Sequence, residues 1–167
     1  MTFSSTVAFS QMPEIDPEDY TQGSLGFGVG LDYGGIGVRI SGKIVTQLYA
    51  FAGVGYNLDG AGFNGGAVFR FSPKKRVCPI LSAMYGYNGV IIVEGMKEQS
   101  KTYYGPSFGG GIELKVGRKS NFFVFELWVP LRSQEYRDDV DALLNNAGVE
   151  MTEAAPVAIS VGYNFRF

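Results

Sequence analysis

From Ser24 to the last residue, large apolar side chains recur at every second position, and the residues between them are small or polar. Leu25, Phe27, Val29 and Leu31 alternate with Gly26, Gly28 and Gly30, and Ile36, Val38 and Ile40 alternate with Gly37, Arg39 and Ser41. Successive side chains of a strand point to opposite faces, so a period of two predicts strands with one bulky apolar face and one nearly bare face. The pattern returns over Leu48–Leu58, Phe63–Phe71, Val77–Tyr87, Tyr104–Leu114, Phe123–Val129 and Val157–Phe167, about eight strands in all. Sets of turn-forming residues separate them, among them Asp32-Tyr-Gly-Gly35, Asp59-Gly-Ala-Gly62, Ser72-Pro-Lys-Lys75 and Gly117-Arg-Lys-Ser120. Residues 24–41 read either as two strands joined by a tight turn or as one bent strand. Pro79 sits awkwardly in the fifth strand, because proline cannot donate to a ladder.

Two architectures produce such alternation: a soluble barrel with its apolar face inward, and a membrane barrel with that face outward. The second face decides between them. It consists of Gly, Ser and Asn with scattered Arg39, Arg70, Glu113, Glu126 and Arg166, whereas a water-facing sheet carries abundant Lys and Glu. No apolar run reaches the roughly 18 residues of a membrane helix, and lipid admits strands only as a closed sheet. The expected fold is therefore all-β: a closed, antiparallel, up-and-down transmembrane β-barrel of about eight strands over residues 24–167. Its inward charges should pair across the lumen, with Arg39, Arg70 and Arg166 near the end that carries the short turns, alongside Glu113 and Glu126. Residues 1–23 form a separate leader. Ala8-Phe9-Ser10 has the small-x-small form of an export-signal cleavage site, so the first residues read as a signal-peptide remnant with Gln11 as the mature start, or else as a plain tail.

The short turns after strands two, four and six place one end of the barrel in the periplasm, and the long connections 88–101 and 132–155 lie at the other end. Those two connections are the candidate surface for an unknown partner. Val90-Ile-Ile-Val-Glu94 suggests that strands five and six protrude, and Val140, Leu143 and Leu144 stand at the spacing of a helical turn.

The closing Gly162-Tyr-Asn-Phe-Arg-Phe167 resembles the final-strand signal of outer-membrane proteins, which implies that Tyr163, Phe165 and Phe167 are read by the barrel assembly machinery. Ala52-Gly-Val-Gly-Tyr-Asn57, Asn64-Gly-Gly66, Arg70-Phe71, Tyr85-Gly-Tyr-Asn88 and Tyr104-Gly-Pro-Ser107 together are similar to the small OmpA-like and OmpX-like barrels. That resemblance implies a Gram-negative outer membrane, lipid as the surrounding medium, and a structural or adhesion-like role through the outer loops. A narrow pore and a soluble lipocalin-like ligand carrier are the alternatives.

Other classes lack their chemistry. The chain has no histidine and one cysteine, Cys78, so it offers neither a Ser-His nor a Cys-His nucleophile pair and no internal disulfide. A net charge of −2 argues against nucleic acid as a partner. Gly37-Val-Arg-Ile-Ser-Gly42-Lys43 has phosphate-loop spacing, but Ile44 follows where Ser or Thr is required. The acids Asp138, Asp139, Asp141, Glu150 and Glu153 match no calcium loop. No catalytic residue, metal or cofactor is expected. Replacing Phe165 and Phe167 by serine should lower the yield of assembled barrel more than equal changes at Asn164 and Arg166; equal defects at all four positions would remove the closing-strand role.

Overall fold

A computed structural model describes residues 22–57, 60–91, 101–117, 121–132, 134, 136–138 and 156–167. The strands are β1 Gly23–Gly30, β2 Gly35–Lys43, β3 Leu48–Asn57, β4 Gly60–Arg70, β5 Val77–Ile91, β6 Lys101–Val116, β7 Asn121–Pro130 and β8 Ala158–Arg166. Each pairs antiparallel with its neighbour in sequence, and β8 returns to β1 through a register from Ser24↔Arg166 to Val29↔Val161, so the sheet closes. Closure removes both edges, whose unpaired N–H and C=O groups would otherwise need other partners. Residues 24–41 thus form two strands. The expected helical turn at Val140–Leu144 lies outside the described residues.

The alternation in sequence becomes an alternation in space. Phe27, Ile36, Val54, Phe63, Leu81, Tyr85, Phe108, Leu127 and Ile159 are exposed on the outer face, with representatives on all eight strands. The positions between them are buried: Arg39, Phe51, Val68, Arg70, Cys78, Ile80, Met84, Glu113, Phe122, Val124, Glu126 and Trp128 fill the interior. Pro79 is accommodated because its missing donor falls at the end of the β4–β5 ladder. Its carbonyl accepts from the Phe71 N–H at 3.1 Å, and the paired positions run only from Arg70↔Ile80 onward.

Two features depart from the expected outline. First, Asp32-Tyr-Gly-Gly35 is not a turn facing solvent. Leu31–Tyr33 forms one 3-10 turn, with Gly34 closing it in the left-handed conformation at φ 70°, and the turn folds back into the lumen, where Asp32 and Tyr33 are fully buried. Inward-facing glycines make the room. A β-carbon on Gly53 would collide with the Asp32 carbonyl oxygen, one on Gly37 or Gly55 with that of Tyr33, and one on Gly162 with the Tyr33 hydroxyl. Second, β5 and β6 run to 15 and 16 residues while the other strands have 8 to 11. Strand β5 therefore takes up the first four residues, 88–91, of the connection expected from Asn88 to Lys101, and β6 takes up its last. The register shifts between Tyr87 and Gly89, and Asn88, on the inward parity of β5, donates its amide to the Leu131 carbonyl at 3.0 Å and to that of Pro106 at 3.3 Å.

Gly55→Ala should destabilise the fold by about 1–3 kcal/mol, the usual cost of an extra carbon in a packed interior. Gly42→Ala, where a β-carbon meets nothing within 4 Å, should be neutral. Equilibrium unfolding of the two variants checks this; equal stability would mean that the inward turn is not packed against β3.

Candidate functional site in the barrel lumen

Parity aims five charged side chains inward, and the structure places all five in the lumen as two separate clusters rather than one network. The first is at mid-strand. Arg39 Nη1 bonds Asp32 Oδ2 and, at 2.9 Å, Glu126 Oε2, so one guanidinium on β2 serves a carboxylate from the inward turn and another from β7. Ser82 on β5 donates to Glu126 Oε1 at 2.5 Å, and the guanidinium lies 4.1 Å from the centre of the Phe51 ring. The turn is tied to the wall at three more points. Leu31 N–H donates to Ser160 Oγ at 3.0 Å, Asn64 Nδ2 donates to the Leu31 carbonyl at 2.5 Å, and Asn164 Nδ2 donates to the Tyr33 hydroxyl at 3.3 Å.

The second cluster closes the end that carries the short turns. Arg70 Nε lies 2.9 and 2.8 Å from the two oxygens of Glu113, and Arg70 Nη2 lies 2.8 Å from Oε1. Arg166 Nη2 is 3.8 Å from Glu113 Oε2. Aromatic faces cover the cations: the Tyr49 ring centre is 3.8 Å from the Arg70 guanidinium, and the Phe122 ring centre is 4.8 Å from that of Arg166. Such contacts stabilise most where water is excluded. Beside them, the Lys115 amino group donates to the Pro73 carbonyl. Arg70 and Arg166 thus stand near the short-turn end as expected. Arg39 does not; it sits at mid-strand because its partner Asp32 enters from the opposite end.

Carboxylates outnumber the guanidinium in the first cluster, and guanidiniums outnumber the carboxylate in the second. Glu113 and Glu126 are each held by a guanidinium. The serines that could accompany them are otherwise placed: Ser160 Oγ accepts from Leu31, and Ser107 Oγ has no hydrogen-bond partner. Among the described residues no group of acids and cysteine is arranged to hold a metal ion.

The closing-strand residues lie elsewhere, on the outer face. Tyr163 packs on Phe123 at 4.8 Å between ring centres and on Phe165 at 5.0 Å, and Phe165 meets Phe27 at 6.1 Å. Phe167 exchanges two backbone hydrogen bonds of 3.2 Å with Gly23, the last pair of the closing ladder.

Sequence reasoning missed Asp32, Tyr33, Ser82 and Lys115 as lumen residues. Ser82 and Lys115 follow the parity of their strands and were legible there, whereas Asp32 and Tyr33 lie outside any alternating run. Comparison with known proteins finds no family profile, curated protein or solved structure that matches the chain.

Arg39→Met strands two buried carboxylates and should cost about 3–5 kcal/mol of stability, as expected for a broken buried pair. The triple change Asp32→Asn, Arg39→Met, Glu126→Gln should cost less than Arg39→Met alone, because no unmatched charge remains. Glu113→Gln should lower stability by more than about 1 kcal/mol. Denaturant titration measures all three, and a triple variant weaker than the single would show that the charges are not matched to one another.

Proposed function

We propose that the chain is a transmembrane barrel of a Gram-negative outer membrane, of the small OmpA-like or OmpX-like kind that its closing strand resembles, with a sealed lumen and a structural or surface-interaction role. One observation carries this reading: apolar side chains face outward on all eight strands while paired charges face inward, the reverse of a water-soluble protein. An apolar exterior of that extent is costly in water and favourable in lipid. It also weighs against a lipocalin-like carrier, whose lumen would be the apolar side. The assembly machinery of the outer membrane is the proposed partner during biogenesis, through Tyr163, Phe165 and Phe167.

The contents of the lumen support a sealed barrel. Eight strands leave an interior that side chains can fill. Here Trp128, Phe51, Phe122 and Met84 share it with the Leu31–Tyr33 turn and the two charge clusters. A surface role draws support from the longer strands: the ladder from Gly89↔Tyr103 to Ile91↔Lys101 continues past Asn64↔Gly86 and Ser107↔Pro130, where β4 and β7 stop pairing with this hairpin. A hairpin that outruns its neighbouring strands offers backbone groups to a partner strand, and Tyr103 at its base is braced by Tyr136, with ring centres 5.1 Å apart. The connections 92–100 and 133–155 lie almost entirely outside the described residues.

The purified protein should require detergent or lipid, migrate differently on gels before and after heating, and give no steady conductance in planar bilayers. Recovery as a detergent-free monomer would sink the membrane reading. Large, stable openings would replace the sealed barrel by a pore.

A further inference from the structure

Strands β4 and β5 separate before either of them ends. Their paired positions stop at Asn64↔Gly86, yet β4 continues to Gly60 against β3, and β5 continues to Ile91 against β6. A notch is thus cut into the wall at the end of the long connections. On the outer face the Tyr104 hydroxyl of β6 reaches across to the Ala61 carbonyl of β4 at 3.4 Å. Tyr56, Tyr85 and Tyr104 stand exposed around the notch, and tyrosine collects where hydrocarbon meets headgroups.

Beside the notch the outer face carries an open groove of about 720 Å³. On one rung Ile40 pairs with Ala52, Ala52 with Gly65, and Gly65 with Tyr85, so two small residues lie between two large ones. Leu25 and Phe63 add to the apolar lining. The volume falls in the range of small-molecule sites. The groove also touches Asn64 and Gly86, the last pair before the notch.

Asn64 is more than nine-tenths buried, and one arm of its amide is satisfied: Nδ2 donates to the Leu31 carbonyl at 2.5 Å. Because that partner is a carbonyl, the amide cannot be turned round. Its Oδ1 faces Gly86, where a β-carbon would collide with it, and accepts no hydrogen bond from the protein. Asn88, the next inward residue of β5, repeats the arrangement. Its Nδ2 is spent on the carbonyls of Leu131 and Pro106, and its buried Oδ1 has no protein partner. Both open positions are acceptors. A buried acceptor left unmet costs more than a hydrogen bond returns, so whatever meets it has to donate. A carboxylate or phosphate would be repelled, whereas a hydroxyl donates without bringing a charge into the wall.

We propose that groove and notch together form a site for a single-chain amphiphile with an uncharged hydroxyl head, of the monoacylglycerol type. Its chain lies over Ala52 and Gly65, and its hydroxyl donates to Asn64 Oδ1. The inference rests on the transmembrane reading and adds a ligand to the outer wall; the lumen below Asn64 stays filled. The full chain in phosphatidylcholine nanodiscs tests it, with a monoacylglycerol that carries a photoreactive diazirine at the head end of its chain. Adducts mapped by peptide mass spectrometry should concentrate on Phe63–Gly65 and Tyr85–Gly86. Ala52→Phe fills the groove from the lipid side without touching the lumen, and should abolish labelling there. Asn64→Leu should weaken it about fivefold, the worth of one hydrogen bond between uncharged groups. Heat-dependent mobility checks that each variant folds. Should Asn64→Leu fail to fold, competition on the wild-type chain tests the head: unlabelled monoacylglycerol should displace the probe, and the ionised fatty acid of equal chain length should not. Labelling spread evenly over the outward residues of all strands would overturn the site while leaving the barrel in the membrane. Labelling undiminished by Ala52→Phe or by a folded Asn64→Leu, or equal displacement by the fatty acid, would overturn it in the same way. Failure of the wild-type chain to enter the discs would instead defeat the transmembrane reading, and this inference with it.

Discussion

A guanidinium enclosed in a closed barrel has to be met by carboxylates from the protein, and Arg39 is met by two. Glu126 comes from the far wall and Asp32 from a turn that has left its place at the rim. Much of the architecture answers that requirement. The turn can enter only if the wall beside it is bare, so Gly37, Gly53, Gly55 and Gly162 face it without side chains. It can stay only if its backbone is satisfied, which Ser160 and Asn64 accomplish. A barrel whose first connection becomes part of its core needs no long loop there, which explains why that connection is short at the end where long ones are expected.

The same parity that buries the charges exposes the apolar set, and neither face makes sense alone. Inside, Arg70 and Glu113 form a two-pronged pair under aromatic rings, and the Arg39 cluster, buried serines and asparagines, and apolar side chains such as Trp128 and Phe51 share the rest of the space. Burying a matched pair is roughly break-even, whereas burying half of one is strongly unfavourable. The lumen clusters therefore act less as a reserve of stability than as a constraint on register. A slip of one residue in β2 or β7 would send Arg39 or Glu126 to the apolar exterior.

Strand positions and the inward or outward sense of each residue were legible in the sequence because a period of two survives any uncertainty about ends. Glu113 between Ile112 and Leu114, or Glu126 between Phe125 and Leu127, could face only one way. The inward turn was not legible. Asp-Tyr-Gly-Gly has the composition of an ordinary solvent turn, and the signal that contradicts it is the alignment of inward glycines on different strands, which exists only once register is known. The reach of β5 and β6 was half legible: Val90–Val93 hinted at it, but the bulge at Asn88 breaks the alternation just where the strands continue.

Trp128, the single tryptophan, offers the most direct measurement of the inside-out arrangement, since it is fully buried in the lumen while its neighbour Leu127 is exposed. In bilayers of phospholipid brominated along the acyl chains, the fluorescence of wild-type protein should be scarcely quenched. The variant Leu127→Trp, Trp128→Phe should be quenched strongly. Quenching of Trp128 as deep as that of a tryptophan at position 127, or protection of both, would contradict an apolar face in lipid and a charged face within.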